Sequence, residues 1–346
     1  MLGIVGAGAL GLTFAAALGA SGADVTLLVR RGTSGQLLQE RSVEISGALE
    51  ARVTITTPPA PAGSIAVTED PRDLAPLAGV LFAVKGHQLR EVADAVSGAS
   101  WGHGAGGGWV AGLQNGVVKD DVLAAAFGAD RVLGAATVLS ARRSSRRSVH
   151  VAGIGSTYLG EFGTPGAPGT SAAAPVSERA RALCDALQRG SITCGVVPDI
   201  RSLLWTKLAN AAGSFGVSAL TRLTGPVMMS RPPLVAAYRA LLEETAAVAS
   251  AEGVEIGDYP ELPMRSRLAQ PAEEMVASIV SLVRARFPGD ADAGTSMTSM
   301  AQDVVAGRRT EIEEVFGDLV GRAHAHCVAV PRLELVYQLI AGIDAR

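Results

Sequence analysis

The first 31 residues of the chain hold a glycine-rich segment between two apolar runs. The run Leu2–Val5 leads into the segment Gly6-Ala7-Gly8-Ala9-Leu10-Gly11, and an alanine-rich helical pattern follows. A second apolar run, 23–29, then ends at two arginines. A strand, a tight glycine turn, a helix and a second strand in this order are typical of a dinucleotide-binding unit, although glycine-rich turns also open other strand–helix units.

Each glycine of this segment has its own expected role. Gly6 permits the tight turn, Gly8 lets the backbone approach a pyrophosphate, and Gly11 lets the helix pack closely on its strand. The helix begins at Ala9 and Leu10, so its unpaired N–H groups and the positive end of its dipole face the phosphates. We therefore expect all five residues to bind the cofactor.

The end of the second strand indicates which dinucleotide is bound. An NAD site usually places an acidic residue there, which accepts hydrogen bonds from the ribose hydroxyl groups. This chain has Arg30 and Arg31 instead, and the next acidic residue along the chain is Glu40. Two guanidinium groups suit the charge and the acceptors of a 2′-phosphate. The sequence therefore predicts NADP(H), bound through Arg30 or Arg31; the alternative is an arginine that merely ends a strand at the surface.

Composition excludes several other classes of protein. A length of 346 residues allows two domains, and the net charge of −3 argues against a nucleic-acid-binding protein. Aromatic residues make up 4% of the chain, too few for base-stacking surfaces. Apolar runs are all shorter than the roughly 18 residues of a membrane span. Three cysteines without metal-ligand spacing predict no metal site, no disulfide framework and a cytoplasmic location.

The pattern of apolar runs predicts an α/β fold with two domains. Alternating strands and helices, including buried strands over 80–84 and 109–113, are typical of a Rossmann-type, doubly wound parallel sheet. Beyond Pro198 the periodicity is helical, with helices expected over 202–220, 234–252, 272–286, 299–305 and 310–327. We therefore expect an NADP(H)-binding domain over 1–198 and a mostly α-helical substrate and catalytic domain over 199–346.

Two segments of the first domain read as connections. The arginines at 142, 143, 146 and 147 are separated by serines, which favours a solvated loop or hairpin over a site for a polyanion. Residues 163–175 are rich in glycine, proline, serine and alanine, which is typical of a loop or linker.

Polar residues at strand ends and inside apolar helices are the candidates for chemistry. Lys85 and Asn115 each follow a buried strand, where ligands of such sheets bind, although a surface lysine and a turn dipeptide are the alternatives. Lys207 lies inside an otherwise apolar helix, either on its exposed stripe or facing a cleft. Glu313 and Glu314 are expected to be solvated charges of a helix.

Taken together, these motifs resemble those of the ketopantoate reductase (2-dehydropantoate 2-reductase) family through nearly the full length of the chain. The matching segments, in the order of the family, are GAGALG at 6–11, the arginines at 30–31, AVKGHQ at 83–88, LQNG at 113–116, WTKL at 205–208, SM at 299–300, QD at 302–303 and GRRTEIE at 307–313. Each segment is short, and their joint occurrence is specific.

The resemblance implies roles for five residues. Lys207 matches the catalytic lysine of the family, the general acid, and Glu311 matches the acid beside it. Ser299 matches a serine that binds the substrate. Asn115 matches an asparagine near both nicotinamide and substrate, and Lys85 matches a lysine beside both cofactor and substrate. An ammonium group can protonate the carbonyl oxygen and stabilise its developing charge during hydride transfer.

One departure from the family concerns the substrate. The family places asparagines four and eight residues after the lysine, where this chain has Ala211 and Phe215. Asn210 and Ser214 sit one residue early, so we expect them to bind substrate only if glycines in this helix distort it, because one residue rotates a side chain by about 100°. Phe215 indicates a more apolar pocket.

We therefore expect an NADPH-dependent reductase of a 2-oxo acid that converts ketopantoate to pantoate. The alternative is a relative that reduces a different carbonyl or imine substrate, and a third hypothesis is a non-catalytic NADPH-binding sensor. The expected partner is a small molecule, with no nucleic acid and no membrane, and the apolar helical domain offers an interface for a homodimer.

Overall fold

A computed structural model describes residues 2–74, 77–99, 108–163, 176–287 and 297–344. The chain divides into two compact units. The first unit comprises Met1–Gln114 and Val118–Ile200, and the second comprises Asn115–Val117 and Arg201–Arg346.

The first unit contains twelve of the described strands and five of the described helices. Its strands are β1 (Leu2–Val5), β2 (Val25–Leu28), β3 (Ser42–Gly47), β4 (Ala51–Thr56), β5 (Ile65–Thr68), β6 (Gly79–Phe82), β7 (Trp109–Gly112), β8 (Leu133–Thr137), β9 (Ser140–Arg143), β10 (Ser148–Gly153), β11 (Thr157–Glu161) and β12 (Cys194–Val196). Its helices are α1 (Ala9–Ala20), α2 (Ser34–Glu40), α3 (Gly86–Gly98), α4 (Val118–Phe127) and α5 (Glu178–Arg189).

A nine-stranded sheet organises this unit. Its order is β7-β6-β1-β2-β5-β4-β3-β10-β9, and the strands from β7 to β4 run parallel. In β1, Gly3 lies between Thr26 of β2 and Val80 of β6. The strands β2, β5, β6 and β7 are buried along their length, as expected for parallel strands covered on both faces. The predicted α/β fold class is confirmed.

Helix α1 is enclosed by the sheet. Phe14 and the alanines at 15–17 are buried, because small side chains let the helix lie close to its neighbours. Strands β3, β4, β9 and β10 all pack on it. The predicted hairpin of arginines is therefore present as β9–β10, and it covers this helix. A separate three-stranded sheet has the order β12-β11-β8. Of the predicted linker 163–175, only residue 163 lies within the described residues.

The second unit is mostly helical, as predicted. Its helices are α6 (Ile200–Thr221), which begins at the last residue of the first unit, α7 (Gly225–Met229), α8 (Pro232–Ala251), α9 (Met264–Ala269), α10 (Ala272–Arg286), α11 (Ser299–Val305), α12 (Asp318–Ala325) and α13 (Pro331–Asp344), with a short hairpin of β13 (Asp258–Tyr259) and β14 (Leu262–Pro263). The helix expected over 310–327 is divided, since residues 313–317 form a π-helical turn before α12. Among the described helices, none combines the length and apolar character that a membrane span requires.

Candidate functional site

Lys207 and Asn115 are joined by a hydrogen bond in the second unit. Lys207 lies on α6 between the buried residues Thr206 and Leu208, and its own side chain is half-buried. Its Nζ atom donates to Asn115 Oδ1 at 3.2 Å. The lysine therefore points toward another polar group and not along the solvated stripe of a surface helix.

Asn115 also reaches Glu311. Its Nδ2 atom donates to Glu311 Oε2 over a long distance of 3.5 Å, so the carboxamide lies between the ammonium and the carboxylate. Glu311 is only 7% exposed. These three predicted site residues, far apart along the chain, thus form one hydrogen-bonded group.

The turn that carries Asn115 depends on Gly116. This glycine has a φ of +86°, and a Cβ atom there would lie 2.4 Å from the carbonyl oxygen of Glu314. No other residue fits such a close approach in that conformation. The π-helical turn that follows Glu311 therefore packs directly on the turn that presents Asn115.

The segment before Glu311 is anchored to the C-terminal helix. Thr310 donates from its backbone N–H and from its hydroxyl to Asp344 Oδ2, at 2.9 and 2.7 Å. The Thr310 hydroxyl also accepts from the N–H of Ile312 at 3.2 Å. These bonds fix the backbone on both sides of Glu311.

Glu314 is not the solvated helix charge that the sequence predicts. It is half-buried, and its Oε2 atom is enclosed without a hydrogen-bond partner among the described residues. Burial raises the pKa of Glu314, and the charge of Glu311 raises it further. Glu313, by contrast, is exposed as expected and accepts from the Tyr337 hydroxyl at 2.9 Å. Adjacent residues of a helical turn do not share a face, so Glu313 is exposed while Glu314 is partly enclosed.

Helix α6 is continuous through the two glycines that were expected to permit a distortion. A Cβ atom at Gly213 would lie 2.5 Å from the Tyr238 ring, and one at Gly216 would lie 3.0–3.1 Å from three side chains. Both glycines therefore allow close packing on neighbouring helices. The local distortion on which substrate binding by Asn210 and Ser214 was made conditional is therefore not seen in this helix.

Asn210 and Ser214 nevertheless lie near the face of α6 that carries Lys207, three and seven residues further on. Asn210 Oδ1 accepts from the Tyr238 hydroxyl at 2.8 Å, and Ser214 bonds weakly to the carbonyl of Ala211 at 3.4 Å. Ala211 is 4% exposed, and Phe215 is half-buried. The tyrosine thus restrains the carboxamide of Asn210.

Ser299 opens helix α11. Its side chain is half-buried, and among the described residues none is hydrogen-bonded to its hydroxyl. The cap of this helix is Thr298, whose side chain accepts from the N–H of Ala301. Ser299 is therefore not needed to cap the helix.

The glycine-rich loop of the first unit has the geometry that the motif predicts. Gly6 has a φ of +103°, and a Cβ atom on Gly11 would lie 1.9 Å from the carbonyl oxygen of Gly6. At Gly8 a Cβ atom would meet only the Ala83 carbonyl, at 3.6 Å, so space is open beside the backbone there. Helix α1 starts at Ala9, with Gly8 at its N-cap and no acidic residue in its first turn. This loop fits a pyrophosphate.

Lys85 follows strand β6 at the N-cap of helix α3 and is half-buried. The side chain of Gln114 supports this turn, donating to the carbonyls of Phe82 and Val84 at 3.0 Å each. Arg30 and Arg31 are both exposed directly after β2 and the buried Val29.

Glu69 also lies close to the loop after these arginines, and no pattern in the sequence indicates it. It follows β5, which pairs with β2, and its carboxylate accepts from the N–H groups of Gly32 and Ser34 at 2.9 and 2.8 Å. The Ser34 hydroxyl donates to it as well, at 2.6 Å. These bonds lower the pKa of Glu69 to about 2. The negatively charged carboxylate of Glu69 therefore lies at the start of helix α2. It is brought there by the pairing of β5 with β2, which the sequence does not show.

No group of three or more histidine, cysteine or acidic residues within the described ranges is arranged to hold a metal ion.

Two family models match the chain. One, described as "Ketopantoate reductase PanE/ApbA", matches residues 2–164. The other, described as the C-terminal part of the same family, matches residues 199–344.

Curated relatives with the name 2-dehydropantoate 2-reductase are similar over most of the chain. The protein of Halobacterium salinarum is 27% identical over 274 residues, or 79% of this chain and 78% of that protein. The protein of Archaeoglobus fulgidus is 25% identical over 343 residues, or 99% of this chain and 97% of that protein.

Solved structures share the fold. A 2-dehydropantoate 2-reductase from Geobacter metallireducens has a TM-score of 0.77 at 23% identity, with 99% of both chains covered. D-Mandelate dehydrogenase with NADH and anilino(oxo)acetate has a TM-score of 0.75 at 19% identity, over 100% and 99% of the two chains. A dimeric ketopantoate reductase from Staphylococcus aureus has a TM-score of 0.67 at 22% identity, over 99% and 98%.

Proposed function

Because this chain belongs to the ketopantoate reductase family, a family of oxidoreductases, we propose that it reduces the 2-oxo group of ketopantoate to the hydroxyl group of pantoate with NADPH. The observation that carries this proposal is the hydrogen-bonded group of Lys207, Asn115 and Glu311. An ammonium, a carboxamide and a carboxylate held together provide a proton donor and the groups that orient it.

Lys207 acts as the general acid. NADPH, when bound, supplies the hydride that adds to C2, and negative charge then builds on the carbonyl oxygen. The Nζ atom of Lys207 stabilises that oxygen and donates the proton that completes the hydroxyl group. The neutral lysine afterwards recovers a proton from solvent, so charge and protons balance over one turnover.

Asn115 and Glu311 hold the lysine in place. The carboxamide of Asn115 accepts from Lys207 and donates toward Glu311, so its two ends fix two charged groups at once. Glu311 is buried at 7% exposure, which strengthens its electrostatic interaction with a nearby ammonium group. Their role is to set the direction of the Nζ atom.

The glycine-rich loop is the proposed phosphate site for the cofactor. Gly6, Gly8, Ala9, Leu10 and Gly11 form it, and the open space beside Gly8 fits a pyrophosphate. Further cofactor contacts are assigned to Lys85 and Asn115, each of which follows a strand of the parallel sheet.

Two arginines support NADPH, and one carboxylate supports NADH. Arg30 and Arg31 provide positive charge for a 2′-phosphate. Glu69 follows β5, and its carboxylate is hydrogen-bonded to the loop after these arginines, so it favours a cofactor without that phosphate because like charges repel. We propose NADPH because two exposed cations outweigh one anion whose hydrogen bonds are already used within the loop.

Ser299, Asn210 and Ser214 are the proposed substrate-binding residues. Ser299 has a hydroxyl that no described residue uses, and Ser214 lies near the Lys207 face of α6. Phe215 favours a second candidate class, a bulkier and more apolar 2-oxo acid, another ketone or an imine, because its ring replaces a polar group of the family.

We assign the cofactor to residues 1–198 and the substrate to residues 199–346, as the sequence suggested. A homodimer is proposed as well, in line with the dimeric relative from Staphylococcus aureus, and sedimentation velocity tests it.

The experiment that tests the function is oxidation of NADPH followed at 340 nm with ketopantoate and with a panel of bulkier 2-oxo acids, ketones and imines. We expect kcat/KM on ketopantoate above ~10⁴ M⁻¹s⁻¹, the low end for ordinary enzymes. Weak turnover there with strong turnover on a bulkier acid would support the second class. Tight NADPH binding without reduction of any substrate would instead indicate a sensor. The same assay with NADH, and with Arg30→Ala and Glu69→Gln, decides between the two cofactors.

A further inference from the structure

One arginine of the β9–β10 hairpin contacts the glycine-rich loop. The Nη1 atom of Arg143 donates to the carbonyl oxygen of Ala7 at 2.9 Å, although the two residues lie 136 positions apart. Ala7 stands between Gly6 and Gly8, in the centre of the loop that fits a pyrophosphate. This arginine is therefore not simply a solvated charge of the hairpin.

The side chain of Arg143 is held in place by its own hairpin. Its Nε atom donates to the carbonyl of Ser145 at 2.9 Å, and Nη2 donates to the carbonyl of Arg146 at 2.7 Å. Together with the bond to Ala7, three carbonyl groups fix the guanidinium group. A guanidinium group has more N–H donors than these bonds use, so it can still bind an anion in a fixed geometry.

The charge of Arg143 is not balanced within the described part of the chain. Its three hydrogen-bond partners are neutral carbonyl groups, and no acidic side chain among the described residues forms an ion pair with it. Partial burial lowers the pKa of Arg143, and the charge of Arg146 lowers it further. The nearby Arg147 differs, because it lies beside Glu40 and Glu44. A fixed cation without a counterion on this loop indicates that an anion belongs there.

We propose that Arg143 binds the pyrophosphate of the dinucleotide, as a ligand supplied from the far edge of the sheet. The inference rests on the proposed function, because it takes the glycine-rich loop as the phosphate site. The contact to Ala7 favours the pyrophosphate over the 2′-phosphate, since the 2′-phosphate is assigned to Arg30 and Arg31 after β2. Arg143 then contributes equally to binding of NADPH and NADH.

Equilibrium binding tests this proposal without any turnover. Dissociation constants of NADPH, NADH, ADP-ribose and 2′-AMP are measured by calorimetry for the wild type, Arg143→Ala and Arg143→Gln. Arg142→Ala is the matched control, because Arg142 lies on the same strand and is exposed. We expect both Arg143 variants to weaken NADPH, NADH and ADP-ribose by a similar factor of about 10 to 100, the range for hydrogen bonds to charged groups. Binding of 2′-AMP, which has no pyrophosphate, and all binding by Arg142→Ala stay unchanged.

Three results would overturn the inference. Wild-type affinity in both Arg143 variants shows that the arginine binds no ligand. Weaker binding of NADPH alone places it at the 2′-phosphate. Equal weakening of 2′-AMP together with a lower melting temperature shows that it only holds the hairpin on the loop. Failure of the wild type to bind any dinucleotide contradicts the proposed function itself, so the two failures are distinguishable. Arg143→Lys keeps the charge, and partial recovery of affinity in it supports a phosphate contact.

Discussion

The Nζ atom of Lys207 donates a hydrogen bond to Asn115 Oδ1 at 3.2 Å, across 92 positions of the chain. This bond joins a lysine in an apolar helix to an asparagine that follows a strand. Among 30 lysine and arginine residues the chain has only three lysines, Lys85, Lys119 and Lys207. Lys119 is buried against Asp120 at 2.5 Å. The rarity of lysine adds weight to the chemical role of Lys207, because arginine does not give up its proton in proteins.

Asn115→Ala is expected to lower kcat on the best 2-oxo acid by about 10- to 100-fold, because hydrogen bonds to charged groups are worth ~1.5–3 kcal/mol. The change removes the bridge between Lys207 and Glu311. Asn115→Asp should lower kcat by a similar factor, since its carboxylate accepts a hydrogen bond from Lys207 but repels the carboxylate of Glu311. Steady-state kinetics on both variants measure this, and a loss below threefold in Asn115→Ala would rule out the positioning role.

Phe215→Asn is expected to shift the substrate preference of the enzyme. A carboxamide on α6 offers hydrogen bonds to a polar substrate, so kcat/KM on ketopantoate should rise by about 10-fold, while activity on bulkier apolar acids falls. Phe215→Leu serves as control, because it remains apolar and should leave kcat/KM on ketopantoate at the wild-type value. An unchanged ratio between the two substrate classes in Phe215→Asn would show that Phe215 does not contact the substrate.

Glu314→Gln is expected to stabilise the protein at neutral pH. Burial, followed by the charge of Glu311, raises the pKa of Glu314, so the native state binds this proton more tightly than the unfolded state does. Above both pKa values the ionised carboxylate therefore lowers the free energy of unfolding. The increase in the free energy of unfolding of Glu314→Gln should be present at pH 7–8. It should disappear as the pH falls below the unfolded-state pKa of about 4.5.

Melting temperatures between pH 4 and 8 test this expectation for Glu314→Gln and for Glu313→Gln. Glu313 is exposed and hydrogen-bonded to the Tyr337 hydroxyl, so Glu313→Gln should not raise the melting temperature at pH 7. A melting temperature of Glu314→Gln below that of the wild type at pH 7 would contradict the account.

The sequence alone was sufficient to predict the structural features that are determined by residues close together in the chain. The turn at Gly6, the close packing at Gly11 and the strands after them depend on neighbouring residues, and the structure has them where the motif predicts them. The helical character of the second unit followed from periodicity in the same way. The exception is the region 313–317, because a π-helical turn inserts a residue without a sequence signal of its own.

Contacts between segments that are distant along the chain could not be predicted from the sequence. Glu69 meets Ser34 only because β5 pairs with β2, and Arg143 meets Ala7 only because the sheet continues to β9 over α1. The positions of Asn115 and Glu311 relative to Lys207 were expected only through resemblance to a family. Helical periodicity likewise gave no reason to expect that Tyr238 holds Asn210.

The central claim is that Lys207 donates the proton during reduction of a 2-oxo acid, and oxidation of NADPH by Lys207→Ala and Lys207→Arg tests it most directly. A general acid contributes typically ~10²–10⁴-fold, so both variants should lose at least about 100-fold in kcat/KM, since arginine keeps the charge without supplying a proton. Arg201→Ala, at the start of the same helix, should retain wild-type kinetics, and NADPH affinity should stay unchanged in the lysine variants. A loss of less than tenfold in Lys207→Ala would contradict the account.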